Sequence, residues 1–302
     1  MTRIKKRYFV GMLMIVTTML FLLGGCRKTT QDTQTKNESA TASTTKTSTT
    51  KSETKKNEKS VIPTLFFHGY SGTAGSFGGM IGRFEQADAA KKELVLTVAS
   101  DGTIQAEGEL SGEADNPIVQ VLFADNVNNE WNQTEWIKNC LSYLQENYQI
   151  DTVNMVGHSM GGVSALRYLM TYGQEADLPK VDKFVAIGAP FNDFTENDPN
   201  QTLADERENG PNSTSSRYQD YQQLIGNLPT DVSFLLLAGQ LAADDPSDGT
   251  VSLTSSLAVE ALLKQNGNQV QEQIIEGSNA HHSQLHENTE VDKYVKDFLW
   301  NE

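Results

Sequence analysis

The sequence is short of cysteine, of histidine and, over most of its length, of positive charge, and each shortage excludes something. Only Cys26 and Cys140 occur in 302 residues. If Cys26 is consumed at the N-terminus, Cys140 has no partner and no disulfide holds the fold. Cys140 falls in Trp136-Ile137-x-x-Cys140-Leu141-x-x-Leu144, an apolar stripe at helical spacing, so a packed core thiol is expected there rather than a nucleophile. Of the five histidines (His68, His158, His281, His282 and His286), three crowd into 281–286. Zinc needs three or four convergent ligands, and neighbouring rings at 281 and 282 diverge, so no metal and no cofactor is expected. Residues 61–302 carry 12 basic side chains against 35 acidic ones, a net charge of −23. Such a surface repels nucleic acid and anionic lipid head groups. No internal repeat is present.

Residues 1–25 have the three-part build of an export signal. Arg3, Lys5, Lys6 and Arg7 form a basic start, Tyr8 to Leu23 is apolar and uncharged, and Leu23-Gly24-Gly25-Cys26 closes it with small residues. This ending resembles a bacterial lipobox, which implies lipidation of Cys26. A retained membrane-spanning helix is the alternative, since the apolar run approaches the roughly 18 residues that a span requires. Both place the remainder on the extracellular face of the cell membrane. Residues 26–60, rich in Thr, Ser and Lys with almost nothing apolar, cannot bury enough surface to offset ordering and read as a disordered tether. Residues 61–302 are then the folded domain.

In that domain strand and helix patterns alternate. Short apolar runs at Val61–Phe67, Ile118–Phe123, Val153–Val156, Phe184–Ile187, Val232–Ala238 and Val270–Ile275 read as buried strands. Helices are expected near 132–147, over Met160–Tyr172 and over Leu257–Lys264. The segments flanking Ser100-Asp101-Gly102 form an extra hairpin near 94–109. Alternation of this kind predicts an α/β fold, a mostly parallel sheet covered by helices on both faces. Residues 192–230 break the pattern as a long polar insertion, read as either a lid or a surface excursion.

Gly157-His158-Ser159-Met160-Gly161-Gly162 is the central motif. G-x-S-x-G alone is weak, but here it follows an apolar strand and opens an amphipathic helix, as a nucleophile elbow must. The tight turn lifts the Ser159 hydroxyl off the sheet and leaves the Met160 N–H free for an oxyanion. A serine hydroxyl needs a base to take its proton. In this order of elements the base follows the acid, which points to the His281-His282-Ser283-Gln284-Leu285-His286 cluster. Asp248, in Ser247-Asp248-Gly249-Thr250-Val251, is the leading acid, with Asp244, Asp245 and the more distant Asp193 as rivals. Phe67-His68-Gly69-Tyr70-Ser71-Gly72 suits a second oxyanion donor, with the Tyr70 N–H as candidate.

Together these segments resemble the α/β-hydrolase superfamily across essentially all of 61–302. More narrowly, FFHGYSGT, NMVGHSMGGVSALRY, VAIGAPFN, SDGTVSLTSS and HHSQLHEN resemble a Gram-positive group of cell-surface α/β hydrolases of unknown function. In lipases of similar layout the histidine lies in H-x-x-L before the last helix. His282-Ser283-Gln284-Leu285 fits that spacing and His281 does not, so the resemblance implies His282 as base, Asp248 as acid and Tyr70 with Met160 as oxyanion donors. It implies a serine hydrolase of the carboxylesterase or lipase type, acting on a small-molecule ester or acyl bond. Acyl transfer or thioester cleavage on envelope material is a second expectation, and a non-catalytic surface binding lipoprotein a third.

Overall fold

The computed structural model describes residues 58–195 and 198–301. The expected leader, Cys26 and the tether as far as residue 57 lie outside the described residues. Just inside them, Lys59 pairs with Asp88 at 2.8 Å and the Ser60 N–H donates to Asn116 Oδ1 at 2.7 Å, so the chain is already fastened before the first strand.

Eight strands form a single sheet: β1 (Thr64–Phe67), β2 (Lys91–Val98), β3 (Ile104–Gly108), β4 (Pro117–Phe123), β5 (Thr152–His158), β6 (Lys180–Ile187), β7 (Ser233–Gln240) and β8 (Gln269–Glu276). Their spatial order is β3-β2-β4-β1-β5-β6-β7-β8. Every neighbouring pair is parallel except the expected β2–β3 hairpin. The central strands are buried on both faces, which is why they read as apolar runs rather than alternating ones. In β1 the pleat divides the side chains: Leu65 and Phe67 join one core, Phe66 the other.

The first core packs α2 (Glu130–Tyr148) and α3 (Met160–Tyr172) on the sheet, with Cys140 buried among them. The second packs α1 (Ala74–Gln86) and α8 (Thr289–Trp300) on the opposite face. Polar caps set several of the helix starts. Thr73 forms a capping box with Ser76, and Asn129 and Asn288 accept from the first turns of α2 and α8. The expected 132–147 and Met160–Tyr172 helices are α2 and α3. α1 was not anticipated, because four glycines in Ala74–Gln86 lower helix propensity; the apolar face of Phe77, Met80, Ile81 and Phe84 overrides them.

The polar insertion proves to be built. It holds α4 (Leu203–Asn209) and α5 (Ser216–Leu224), capped by Thr202 and Ser215, and it buries Tyr218 and Tyr221 against the first core. Its apolar residues, among them Leu203, Tyr218, Tyr221, Leu224, Ile225 and Leu228, are scattered among polar ones, so no continuous stripe marks it in the sequence. The expected Leu257–Lys264 helix is divided into α6 (Leu253–Leu257) and α7 (Glu260–Asn266). Among the described residues no helix is long and apolar enough to cross a membrane.

Candidate active site

β5 ends at His158 and α3 begins at Met160, so the whole change of direction falls on Ser159. Its φ of +53° and ψ of −124° lie outside the regions that L-residues favour, a strain of about 1–3 kcal/mol. Surrounding bonds hold it: its N–H donates to the Ile187 carbonyl at 2.9 Å, and its carbonyl accepts from Gly162 and Val163. The helix can start this close only because position 157 has no side chain. A Cβ there would stand 2.6 Å from the Gly162 backbone. Although Ser159 occupies the N-cap, its hydroxyl makes no capping bond and stays available.

Asp248 follows β7 and is fully buried. Its Oδ1 accepts from the Thr250 and Val251 N–H groups at 2.9 and 2.6 Å, which orients the carboxylate and leaves Oδ2 for a third donor. That donor is His282 Nδ1, at 2.6 Å. The His282 main-chain N–H also donates to the Asp248 carbonyl at 2.8 Å, so backbone and side chain are registered to the same aspartate. With Nδ1 committed, Nε2 is the free nitrogen. His282 and Ser159 line one cavity of about 420 Å³, together with Met160, Tyr70, Phe194 and Arg217. This is where the structure brings Ser159, His282, Asp248, Tyr70 and Met160 together.

The rivals go elsewhere. His281 is exposed beside Gly249, and Asp244 and Asp245 are exposed on their loop. Asp193 binds Arg217 Nη1 at 3.1 Å. Among the described residues, no hydrogen bond engages the N–H of Tyr70 or of Met160. The loop bearing Tyr70 is fixed by its neighbours: Ser71 N–H donates to the Asn126 carbonyl at 2.7 Å and Asn126 Nδ2 to the Gly72 carbonyl at 2.8 Å. His68 braces its root. Nδ1–H donates to the Gly69 carbonyl at 2.8 Å while Nε2 accepts from the Phe123 N–H at 3.0 Å. The bond that Nε2 accepts needs the neutral ring, and burial lowers the pKa of His68 in the same sense.

Sequence reasoning missed one part of the site. Among the described residues that line the cavity, Arg217, on α5, is the only arginine, lysine or carboxylate. Its Nε donates to Glu130 Oε2 at 2.7 Å, and Arg167 Nη2 reaches Glu130 Oε1 at 2.6 Å. All three are largely buried, and they tie the insertion to α2 and α3. Spacing along the chain carries no trace of this, since the three residues come from three separate helices. A larger hollow of about 580 Å³ lies at the opposite end of the sheet, beside Lys180 and Asp231.

A parallel sheet with a serine elbow after β5, an acid after β7 and a histidine after β8 defines the class of α/β hydrolases. Within that class the chain belongs to the family of alpha/beta hydrolases of unknown function DUF915, which matches residues 51–302. Among solved structures it is similar to the lin2722 gene product of Listeria innocua, at 30% identity and a TM-score of 0.73 over 79% of this chain and 93% of that one. It is also similar to a candidate cell surface hydrolase from Lactobacillus plantarum, at 23% identity and a TM-score of 0.65 over 80% and 92%. No curated protein sequence matches it.

Proposed function

We propose that this domain is a serine hydrolase that cleaves a carboxylic ester or related acyl bond. The observation that carries the reading is the Asp248–His282 pair, joined at 2.6 Å and opening on the same cavity as the strained Ser159. Ser159 Oγ attacks the acyl carbon while His282 Nε2 takes its proton, and Asp248 stabilises the imidazolium that results. The N–H groups of Tyr70 and Met160 receive the oxyanion of the tetrahedral intermediate. Collapse expels the alcohol, which leaves with the proton from His282. Water, deprotonated by the same imidazole, then releases the acid and restores Ser159. Met160, Val163, Pro190 and Phe194 make most of the cavity wall apolar, and a volume of about 420 Å³ suits a short acyl group better than a long one.

The leader and the LGGC sequence support anchoring through lipidated Cys26 on the extracellular face, and the description of the Lactobacillus plantarum relative agrees with a surface location. Two experiments test the reading. A fluorophosphonate probe should label the wild type and not Ser159→Ala, and p-nitrophenyl acetate turnover should fall about a thousandfold or more in Asp248→Ala. Absence of labelling in the wild type overturns it. Cys26→Ala should release the protein from membranes; unchanged retention would favour an uncleaved helix.

A further inference from the structure

His158 occupies the variable position before the serine of the G-x-S-x-G motif. It is buried, with 6% of its surface exposed, at the last position of β5. Its Nε2 lies 3.0 Å from the main-chain carbonyl of His282, a contact that spans 124 residues of sequence. A carbonyl can only accept, so Nε2 carries the hydrogen. The ring is enclosed by the C-terminal histidine cluster. Its centroid is 4.7 Å from that of His282 and 4.8 Å from that of His286, the second at an interplanar angle of 88°. Residues 282–287 form a short 3₁₀ helix, so His282 and His286 contact His158 from near its two ends.

His282 is therefore held at three points, of which Asp248 supplies only two, the bonds to Nδ1 and to the main-chain N–H. The third is its carbonyl. Without it the turn could pivot about Asp248, and the imidazole would swing relative to Ser159. Because His158 and Ser159 are adjacent in the chain, the clasp fixes the base relative to the nucleophile rather than to a remote part of the fold.

We propose that His158 is a positioning residue, whose Nε2–H holds the main-chain carbonyl of His282 and thereby keeps that imidazole in line between Asp248 and Ser159. The role rests on the serine-hydrolase reading above. Burial, with His282 and His286 adding to it, holds the pKa of His158 well below the ordinary 6.5, so the ring stays neutral through the neutral range, and the His282 carbonyl keeps its hydrogen on Nε2. His68 is the remaining titratable group acting on it and works in the same direction.

The test compares His158→Leu, which removes the donor, with His158→Gln, whose amide nitrogen can take the place of Nε2. In His158→Leu, kcat for p-nitrophenyl acetate should fall roughly 10- to 100-fold with KM nearly unchanged, the cost of a misplaced catalytic group. His158→Gln should restore most of kcat. Unaltered kcat in a folded Leu variant, or no recovery in a folded Gln variant, overturns the proposal. Should the Leu variant fail to fold, nitrogen-15 spectra of the wild type decide. His158 should be the neutral Nε2–H tautomer from pH 6 to 8, and finding the hydrogen on Nδ1 refutes the clasp. Failure of the wild type to take the fluorophosphonate would instead defeat the hydrolase reading and leave the tautomer result standing.

Discussion

Gly188 closes the floor beneath the Asp248–His282 pair, and its φ of +56° belongs to the left-handed region that favours glycine. A Cβ at this position would stand 3.1 Å from Asp248 Oδ2 and 3.3 Å from His282 Nδ1. Gly188→Ala should therefore cost about 1 kcal/mol in backbone strain and should push the carboxylate and ring apart. Turnover of p-nitrophenyl acetate should drop by an order of magnitude or more while the melting temperature moves only a few degrees. Loss of stability without loss of rate would show that the pair tolerates the intrusion. At neighbouring positions in the same loop, His281 and His282 have opposite fates. His282→Ala should abolish turnover and His281→Ala, whose ring is exposed beside Gly249, should spare it. Assays of the two purified variants decide the choice of base, and the reverse pattern would reassign it.

At the scale of elements, the insertion is held by an ion pair network as well as by its apolar contacts. Glu130 at the start of α2 receives Arg167 from α3 and Arg217 from α5, and its side chain is 3% exposed. One buried carboxylate thus offsets two buried guanidinium groups, with Asp220 and Asp193 completing the arrangement from the half-exposed rim. Neutralising the shared partner leaves the two cations only the half-exposed Asp220 and Asp193. Glu130→Gln should destabilise the domain by about 3–5 kcal/mol, read from urea unfolding. Limited proteolysis should then cut first between residues 192 and 230. Arg217 lines the cavity, so loosening α5 should also raise KM for p-nitrophenyl esters. A variant with unchanged unfolding midpoint and protease resistance would show that the aromatic contacts of Tyr218 and Tyr221 suffice.

Across the whole molecule, buried titratable groups set opposing slopes of stability against pH. His68, His158 and His286 all have pKa values lowered by burial, and for His158 and His286 nearby positive charge acts in the same direction. Each is held neutral in the folded chain and binds a proton in the unfolded chain below its ordinary value of 6.5. The unfolded state then holds more protons, so stability is complete above pH 6.5 and is lost as pH falls below it. Glu206 works the other way. Burial pushes its carboxyl up from 4.5 to about 7, and its Oε1 has no hydrogen-bond partner. The folded state therefore keeps a proton that the unfolded state has released, and stability declines as pH rises from 4.5 towards 7. Glu206→Gln should raise stability by roughly 1–3 kcal/mol at pH 8 and hardly at all at pH 4. Urea midpoints at the two pH values check it, and equal gains at both would assign the effect to packing instead.

Local order was legible in the sequence because local physics writes it there. Apolar runs marked β1, β4, β5, β6 and β7, since strands covered on both faces have no polar side to show. The buried strand expected at Val270–Ile275 is corrected: β8 lies at the sheet edge, carries Gln271, Glu272 and Gln273, and buries only Ile275. The elbow was legible because its glycines, its serine and the α3 helix are contiguous, and a sharp strand-to-helix turn admits few other residues. Ser159, Asp248 and the histidine loop could be ordered along the chain, with His282 preferred over His281 through resemblance alone. The glycines of α1 and the sparse apolar residues of α4 and α5 concealed those helices, which packing rather than propensity stabilises. Only the tertiary structure decided how sequence-distant groups meet: Glu130 between Arg167 and Arg217, Asp193 drawn to Arg217 rather than to a histidine, and His158 clasping the carbonyl of His282. Those pairings depend on side chains from separate elements arriving at the same end of the sheet, and no periodicity within one element records where another will place its charge.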